Sequence, residues 1–520
     1  MITAFNLVTL KIMHIIVAAC LLDFFIGPSL ASYNVALIEL PPNLNYTKSL
    51  EEILEENTNN YLDIIENVTK NQTLDLIIFP ESTLTPYFST TFTSSLVPSS
   101  DVILCNSTDT RYQRFLRHIS CAAVLHSTTI VINFTEEEID ESGNKLFYNT
   151  NVALGTDGTV LARYRKYNLF GERGKTRPEI LDLPVITIKN TTFGIMTCFD
   201  IQFGKPGFNL VKEKRVENII FPLNWISELP YLTALQTEQM WAQEMDVVLL
   251  AAGASYPETG AGGSGIFLGA RGAQLSEISP TGSTNILIGS VSDNVTSQKT
   301  FNERETDDLA SSMDDFFMLV DPTIKDHNSV ILDLSQENFN ATVCHEELCC
   351  DFSINISVSS SQSASKDVYT YHLVAFNGVR TYSGFYYGGV ETCGIVACLN
   401  GSVDSCGRRF SNYSTVSWPI TFNSIEINGN FTPSKDRIQY PTTLLSSIRP
   451  LAVQDYSWKK TELNSTIQRS IVSLKPQNRL LTFGIFGRDF ERDREPLRSN
   501  SECKKMIFSV LILVFLLKMC

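Results

Sequence analysis

Histidine is scarce in this chain, with six among 520 residues. No H-E-x-x-H pair occurs, and neither a Ser-His-Asp nor a Cys-His arrangement can be placed. His118 and His126 share one helical stretch, while His327, His345 and His372 fall in the second half. Metalloprotease chemistry and histidine-activated nucleophiles are thereby excluded. Basic charge is short as well: 41 Lys and Arg against 56 Asp and Glu leave a net −15. Nucleic acid is excluded as a partner, because phosphate binding needs a basic surface, and the acidity is read as solubility. No repeat of fixed period is visible. Paired C-x-x-C sets are also missing despite twelve cysteines, so the spacings do not build a zinc module, even with His345 beside Cys344. No metal is expected.

What is present describes a folded, secreted chain. Hydrophobic residues at 43% and charged residues at 19% are globular proportions, and the length favours two domains. Ile12 to Ile26 is an apolar run after Lys11, and Ser29-Leu30-Ala31 is a small-residue cleavage pattern, so residues 1–31 read as a signal peptide. N-x-S/T sequons begin at Asn45, Asn67, Asn71, Asn106, Asn190, Asn294, Asn340, Asn355, Asn400, Asn412, Asn430 and Asn464. This density fits a glycosylated extracellular surface. A further sequon at Asn133 lies in an apolar stretch and is expected to be buried and unused. Disulfides are permitted in that compartment. Cys105, Cys121, Cys344, Cys349, Cys350, Cys393, Cys398 and Cys406 form an even set once Cys20, Cys503 and Cys520 are removed with the ends, and Cys198 stands apart.

At the other end, Met506 to Leu517 is apolar but shorter than the ~20 residues of a membrane span. It fits the removable tail of a lipid-anchor signal, with attachment at Ser499 or Asn500 and a short polar spacer from Glu502 to Lys505. The expected location is therefore the outer leaflet of the plasma membrane, through a lipid anchor.

Between the ends, apolar spacing predicts helices over 49–68, 111–125 and 231–245. Strands are predicted over 74–79, 129–134, 151–154, 159–164, 185–188, 193–197, 218–221 and 247–252. Gly155-Thr156-Asp157-Gly158 marks a hairpin turn. The alternation indicates an α/β domain over 32–305. The polar stretch 302–315 reads as a linker or surface loop. Short strands over 330–334, 353–358, 369–376 and 381–387 follow, in a β-rich, disulfide-bearing domain over 306–487. Residues 488–505 read as a charged stalk and 506–520 as the removable tail.

Three residues end strand-like runs: Glu81 after Leu76 to Pro80, Lys166 after Val160 to Arg165, and Cys198 after Phe193 to Thr197. Open α/β sheets bind ligands beyond the carboxyl ends of their strands. A lone cysteine is ordinarily an inert small hydrophobe, a Glu after a strand can serve as a cap, and a Lys is usually a solvated charge. Together they supply a base, a cation and a thiol, the parts of a nucleophilic amidase.

Phe79-Pro80-Glu81, Tyr164 to Glu172 (Tyr-Arg-Lys-Tyr-Asn-Leu-Phe-Gly-Glu) and Thr197-Cys198-Phe199-Asp200-Ile201 resemble the nitrilase superfamily, specifically its vanin/biotinidase branch. Phe221 to Trp225 and Gly263 to Phe267 resemble two further family segments. The resemblance implies a four-layer αββα sandwich with a C-terminal β-rich domain and a Glu81-Lys166-Cys198 triad. It also implies hydrolysis of a linear amide without a cofactor, with pantetheine the expected small-molecule substrate and biocytin the alternative. The backbone N–H of Phe199 and the side chains of Glu172 and Trp225 are oxyanion or pocket candidates. Glu172 has a second reading, as a structural carboxylate pairing with Arg163 or Arg173. Gln202 replaces an aliphatic residue and is expected to alter the pocket wall. A binding glycoprotein of the same fold is the alternative outside enzymes, against which an intact triad speaks.

Two features are set aside. Gly260-Ala261-Gly262-Gly263-Ser264-Gly265 fits G-x-G-x-x-G but neither directly follows a strand nor opens a helix; it reads as a mobile loop near the site. Glu136-Glu137-Glu138 with Asp140 and Glu141 reads as a solvated acidic loop.

Overall fold

Alternation along the first strand sorts its side chains onto two cores. Val35 and Leu37 face one hydrophobic cluster, while Ala36 and Ile38 face another. The computed structural model describes residues 32–494 apart from 46, 86–102, 109–112, 293–302, 360–366 and 464. The expected signal peptide, Ser499, Asn500, the apolar tail and the sequons at Asn294 and Asn464 lie outside the described residues.

The first half runs β1 (Tyr33–Glu39), α1 (Leu50–Thr69), β2 (Leu76–Ile78), α2 (Arg114–His126), β3 (Thr129–Ile139), β4 (Lys145–Leu154) and β5 (Val160–Arg165). It continues through β6 (Val185–Ile188), β7 (Thr191–Ile195), β8 (Asn218–Leu223), β9 (Glu228–Leu229) and α3 (Ala234–Met245). It closes with β10 (Val248–Gly253), β11 (Ser264–Leu268), β12 (Ala273–Glu277) and β13 (Asn285–Val291). All but β9 join two six-stranded sheets, ordered β13-β1-β2-β3-β4-β5 and β12-β11-β10-β8-β7-β6.

One face of the first sheet meets the second sheet, through Val35, Leu76 and Val131 against Phe193 and Ile195. The other face takes Tyr61, Ile64 and Ile65 of α1 and Phe115, Leu116 and Ile119 of α2. Helix α1 starts at a capping box, where Ser49 and Glu52 satisfy each other's backbone N–H groups. Helix α3 lies on β10 and β11, beyond the second sheet. The layers are therefore α, β, β, α, as expected.

The second half opens with α4 (Glu303–Ser312), and β14 (Leu319–Val320) pairs with β9. Then come β15 (Asn328–Ile331), β16 (Asn338–His345), β17 (Leu348–Val358), β18 (Asp367–Val368), β19 (Thr370–Tyr382) and β20 (Tyr386–Cys398). The last elements are β21 (Val416–Ser417), β22 (Ile420–Phe431), β23 (Arg437–Leu445), β24 (Tyr456–Glu462), β25 (Ile467–Ser473) and β26 (Leu480–Arg494). They build two five-stranded sheets, β15-β19-β20-β26-β23 and β16-β17-β22-β25-β24, with β18 and β21 paired separately. Disulfides join Cys105–Cys121, Cys344–Cys349, Cys350–Cys393 and Cys398–Cys406, which uses the whole expected even set and leaves Cys198 free.

Several expectations are corrected. The stretch expected to be a linker holds α4, because its acids find distant partners: Asp307 binds Arg479 at 2.6 Å and accepts the Tyr413 hydroxyl at 2.6 Å. The acidic run is not a solvated loop through Glu136. Strand β3 continues to Ile139, and Glu136 is buried between Arg165 at 2.8 Å, Thr150 at 2.9 Å and Arg163 at 3.3 Å. The glycine-rich segment is not a loose loop, since Ser264 and Gly265 are core residues of β11 and Ser264 Oγ accepts the Gly253 N–H. The strand expected over 381–387 is split: Thr381 and Tyr382 end β19, Tyr386 and Tyr387 open β20, and the turn between them is closed by Phe385 N–H to Tyr382 O at 2.9 Å. The boundary at 487 falls inside β26, and Arg488, expected in the stalk, is buried.

Candidate active site

Each of the three expected residues leaves the end of a strand, and the strand pairings bring those ends together. Strands β1, β2 and β3 are parallel, and Phe79 N–H still bonds Val131 O beyond β2. The chain then turns sharply at Ser82 (φ 59). The Ser82 N–H is held by Asn133 Oδ1 at 2.9 Å, which fixes Glu81 pointing into the sandwich. Strand β5 pairs with β4, and Lys166 N–H bonds Asn149 O. Arg165 is anchored on one face by Glu136, so Lys166 projects to the other. Strand β7 runs parallel to β8, and Cys198 follows it at φ 47 as the first residue of a short 3-10 turn. A non-glycine residue in that region costs about 1–2 kcal/mol, and the surrounding bonds hold it there.

Asp200 is the centre of those bonds. It accepts the Thr197 N–H at 3.0 Å, the Tyr164 hydroxyl at 2.6 Å and both the N–H and the side-chain amide of Asn168. Burial pushes its carboxyl up to about 6, against these donors and Lys166. Asp200 thereby ties the cysteine turn to the lysine turn.

At the centre, Lys166 Nζ lies 2.8 Å from Glu81 Oε1 and 2.6 Å from Glu172 Oε1, and all three side chains are buried. Glu81 also accepts Asn149 Nδ2 at 2.7 Å and the Asn224 N–H at 2.9 Å. Burial lowers the proton affinity of Lys166, but Glu172, Glu81 and Cys198 outweigh it and hold the ammonium well above its usual range. Burial raises the Cys198 thiol, and Glu81 raises it further through charge and a hydrogen bond; Lys166 and the Asn224 N–H pull the other way. The Cys198 thiol thus lies within hydrogen-bond reach of the Glu81 carboxyl.

A carbon–nitrogen hydrolase family model matches residues 34–253, and a Vanin C-terminal domain model matches residues 316–493. Vanin-like protein 1 of Drosophila melanogaster is 32% identical over 462 residues, 83% of this chain and 82% of that protein. The chain belongs to the vanin family of carbon–nitrogen hydrolases. It is an enzyme of that class. The human protein named pantetheinase is 27% identical over 483 residues, 87% of each chain. The solved Saccharomyces cerevisiae Nit3, of the nitrilase superfamily, aligns at 19% identity over 51% of this chain and 92% of that one, with a TM-score of 0.41.

In this vanin-family chain the remaining candidates separate. Glu172 pairs with Lys166, while Arg163, one of the two arginines of its second reading, is engaged by Glu136 and Asp182. The Phe199 ring is buried among Phe170, Phe203 and Tyr382, with centroids 4.9, 5.0 and 5.3 Å away. The Trp225 indole N–H is spent on Leu232 O at 2.9 Å, which leaves only its ring for packing. Gln202 is buried against the second domain, where its carbonyl accepts Arg488 Nε at 2.9 Å. Asn133 is buried, as expected, and its amide serves Asn149 and Asn151. Among the described residues, His372, Cys398 and Cys406 are the one group spaced to ligate a metal, but the two sulfurs are joined in a disulfide.

Sequence reading missed the supporting asparagines Asn133, Asn149 and Asn151, and the roles of Asp200 and Asn224. The signal for the first three was polar asparagine at apolar-face positions of two adjacent strands.

Proposed function

We propose that the chain hydrolyses pantetheine, or a closely related linear amide, to pantothenate and cysteamine. Cys198 is the nucleophile, Glu81 the proton carrier and Lys166 the oxyanion partner. Glu81 takes the Sγ proton as the thiolate attacks the amide carbonyl and the Sγ–C bond forms. Negative charge then develops on the carbonyl oxygen beside the Lys166 ammonium and the Phe199 backbone N–H. Glu81 delivers its proton to the nitrogen as the C–N bond breaks. It next takes a proton from the water that cleaves the thioester, and returning that proton to sulfur restores the thiol.

The observation that carries the chemistry is the buried carboxylate–ammonium–carboxylate array in contact with the free thiol. The substrate choice rests on the relatives named pantetheinase and on the second domain that they share. We place the protein outside the cell, anchored by lipid at Ser499 or Asn500. The four disulfides and the exposed asparagines at Asn45, Asn67, Asn71, Asn106, Asn190, Asn340, Asn400 and Asn412 support this location. Asn355 and Asn430 are partly covered and are proposed as glycosylated with them. Purified ectodomain assayed side by side on pantetheine and biocytin tests the substrate. Faster cysteamine release is expected; faster lysine release would assign biotinidase-type hydrolysis instead.

A further inference from the structure

The second domain reaches both turns that flank the thiol. Arg380, near the end of β19, is fully buried and binds Glu228 and, at 3.2 Å, Asp321. Burial opposes its charge, but Asp321 and Glu228 hold it protonated. This clamp fixes the base of the β19–β20 hairpin. Tyr382 then lies beside Phe199, and Tyr386 lies 4.8 Å from Phe203. Phe385, at the hairpin tip, stacks edge-on with Phe170 at 5.5 Å. Its ring also covers the backbone of Gly171 so closely that a Cβ there would overlap it, and Gly171 holds φ +70. Residues 170–172 form the turn that carries Glu172 to Lys166. The second carboxylate oxygen of Glu172 is buried without a hydrogen-bond partner, so its one side-chain hydrogen bond, to Lys166, depends on the packing of its turn, with the Lys175 charge acting on it as well.

We propose that Phe385 is a positioning residue contributed by the second domain, seating the 170–172 turn so that Glu172 meets Lys166. The catalytic domain's charge array is then complete only when the β19–β20 hairpin is docked on it. Phe385 touches no reacting atom; it acts through Gly171 and Glu172. The proposal rests on the amidase reading above.

The test uses the whole ectodomain with Phe385→Ala and Phe385→Leu. Three quantities are read: kcat and KM on pantetheine, the pH profile of Cys198 alkylation by iodoacetamide, and thermal unfolding. Phe385→Ala is expected to lose about 10–100-fold in kcat, the scale of small misplacements remote from the chemistry, with KM changed by less than about threefold. Its alkylation profile is expected to move to lower pH, because a loosened Glu172 leaves Lys166 freer to stabilise the thiolate. Phe385→Leu, which still covers Gly171, should retain most of the wild-type rate. An unchanged kcat in Phe385→Ala overturns the proposal, as does an unchanged alkylation profile or an equal loss in Phe385→Leu. Should Phe385→Ala not be secreted, Gly171→Ala decides, since its Cβ pushes on the same ring: wild-type rate and profile there overturn the proposal. If the wild type hydrolyses no amide, the amidase reading fails, while the alkylation profiles still decide the positioning role.

Discussion

Lys166→Met is the sharpest perturbation of this site, and it acts on stability as well as on rate. The ammonium sits between two buried carboxylates, 2.8 Å from Glu81 and 2.6 Å from Glu172. Glu81 keeps two donors, Asn149 and Asn224, when the lysine is removed. Glu172 loses its Lys166 hydrogen bond, and its other oxygen already lacks one. The mutation therefore strands a buried carboxylate, which costs about 3–5 kcal/mol when a buried pair is broken from one side. At roughly 2–4 °C per kcal/mol for a domain of this size, unfolding should move down by ~6–20 °C. The rate should fall by about 10²–10³ in kcat if Lys166 serves the oxyanion. Lys166→Met/Glu172→Gln should recover most of the stability and none of the activity. Calorimetry on the two variants checks this. No recovery in the double variant refutes the buried-charge argument.

Three further outcomes follow from the same geometry. Cys198→Ala should abolish hydrolysis without lowering the unfolding temperature, and Cys198→Ser should be nearly inactive, because a buried hydroxyl is not ionised by Glu81; substantial turnover by either variant removes Cys198 from the reaction. Asn133→Gln should cost about 1–3 kcal/mol, since it disturbs the Ser82, Asn149 and Asn151 bonds, with no loss of glycan mass, whereas Asn45→Gln should lose one glycan and no stability; mass spectrometry with calorimetry separates the two. Phosphatidylinositol-specific phospholipase should release the protein from intact cells, and peptides from residues 506–520 recovered on the mature protein would contradict the anchor.

The catalytic layers were legible because their periodicity is strong. Strand β1 splits its residues between two cores, and α1 carries a capping box and an apolar face, so both elements follow from local pattern. Helix α4 was not legible, because its sequence is acidic and offers only Leu309 and Ala310 as apolar residues. Its place is secured by Arg479 and Arg409, about a hundred residues or more away in the chain, and no local reading contains those contacts. The same holds for Glu136, whose run of like charges reads as solvated until Arg163 and Arg165 are placed beside it. In both cases a charged segment looked exposed because its counter-charges come from another strand or another domain.

The site divides along the same line. Glu81, Lys166 and Cys198 were found because each ends an apolar strand, which is a local signal with a chemical meaning. Their supports are long-range. Asn133 faces Asn151 across β3 and β4, and Asn149 lies two residues from Asn151 on the same face of β4. One amide reaches Glu81 and another reaches Thr197, beside the thiol. A period-two pair of asparagines in an otherwise apolar strand is costly unless every amide is satisfied, so it marks a buried polar network even before the partners are known. What it cannot mark is the partner's identity: that needs the sheet order, which places β4 between β3 and β5 and so sets the asparagine layer directly beneath the carboxylate, the ammonium and the thiol. The second domain's Phe385 is one step further removed. An aromatic residue at a hairpin tip carries no chemical signal of its own, and it gains one only when the domains dock and its ring closes over Gly171.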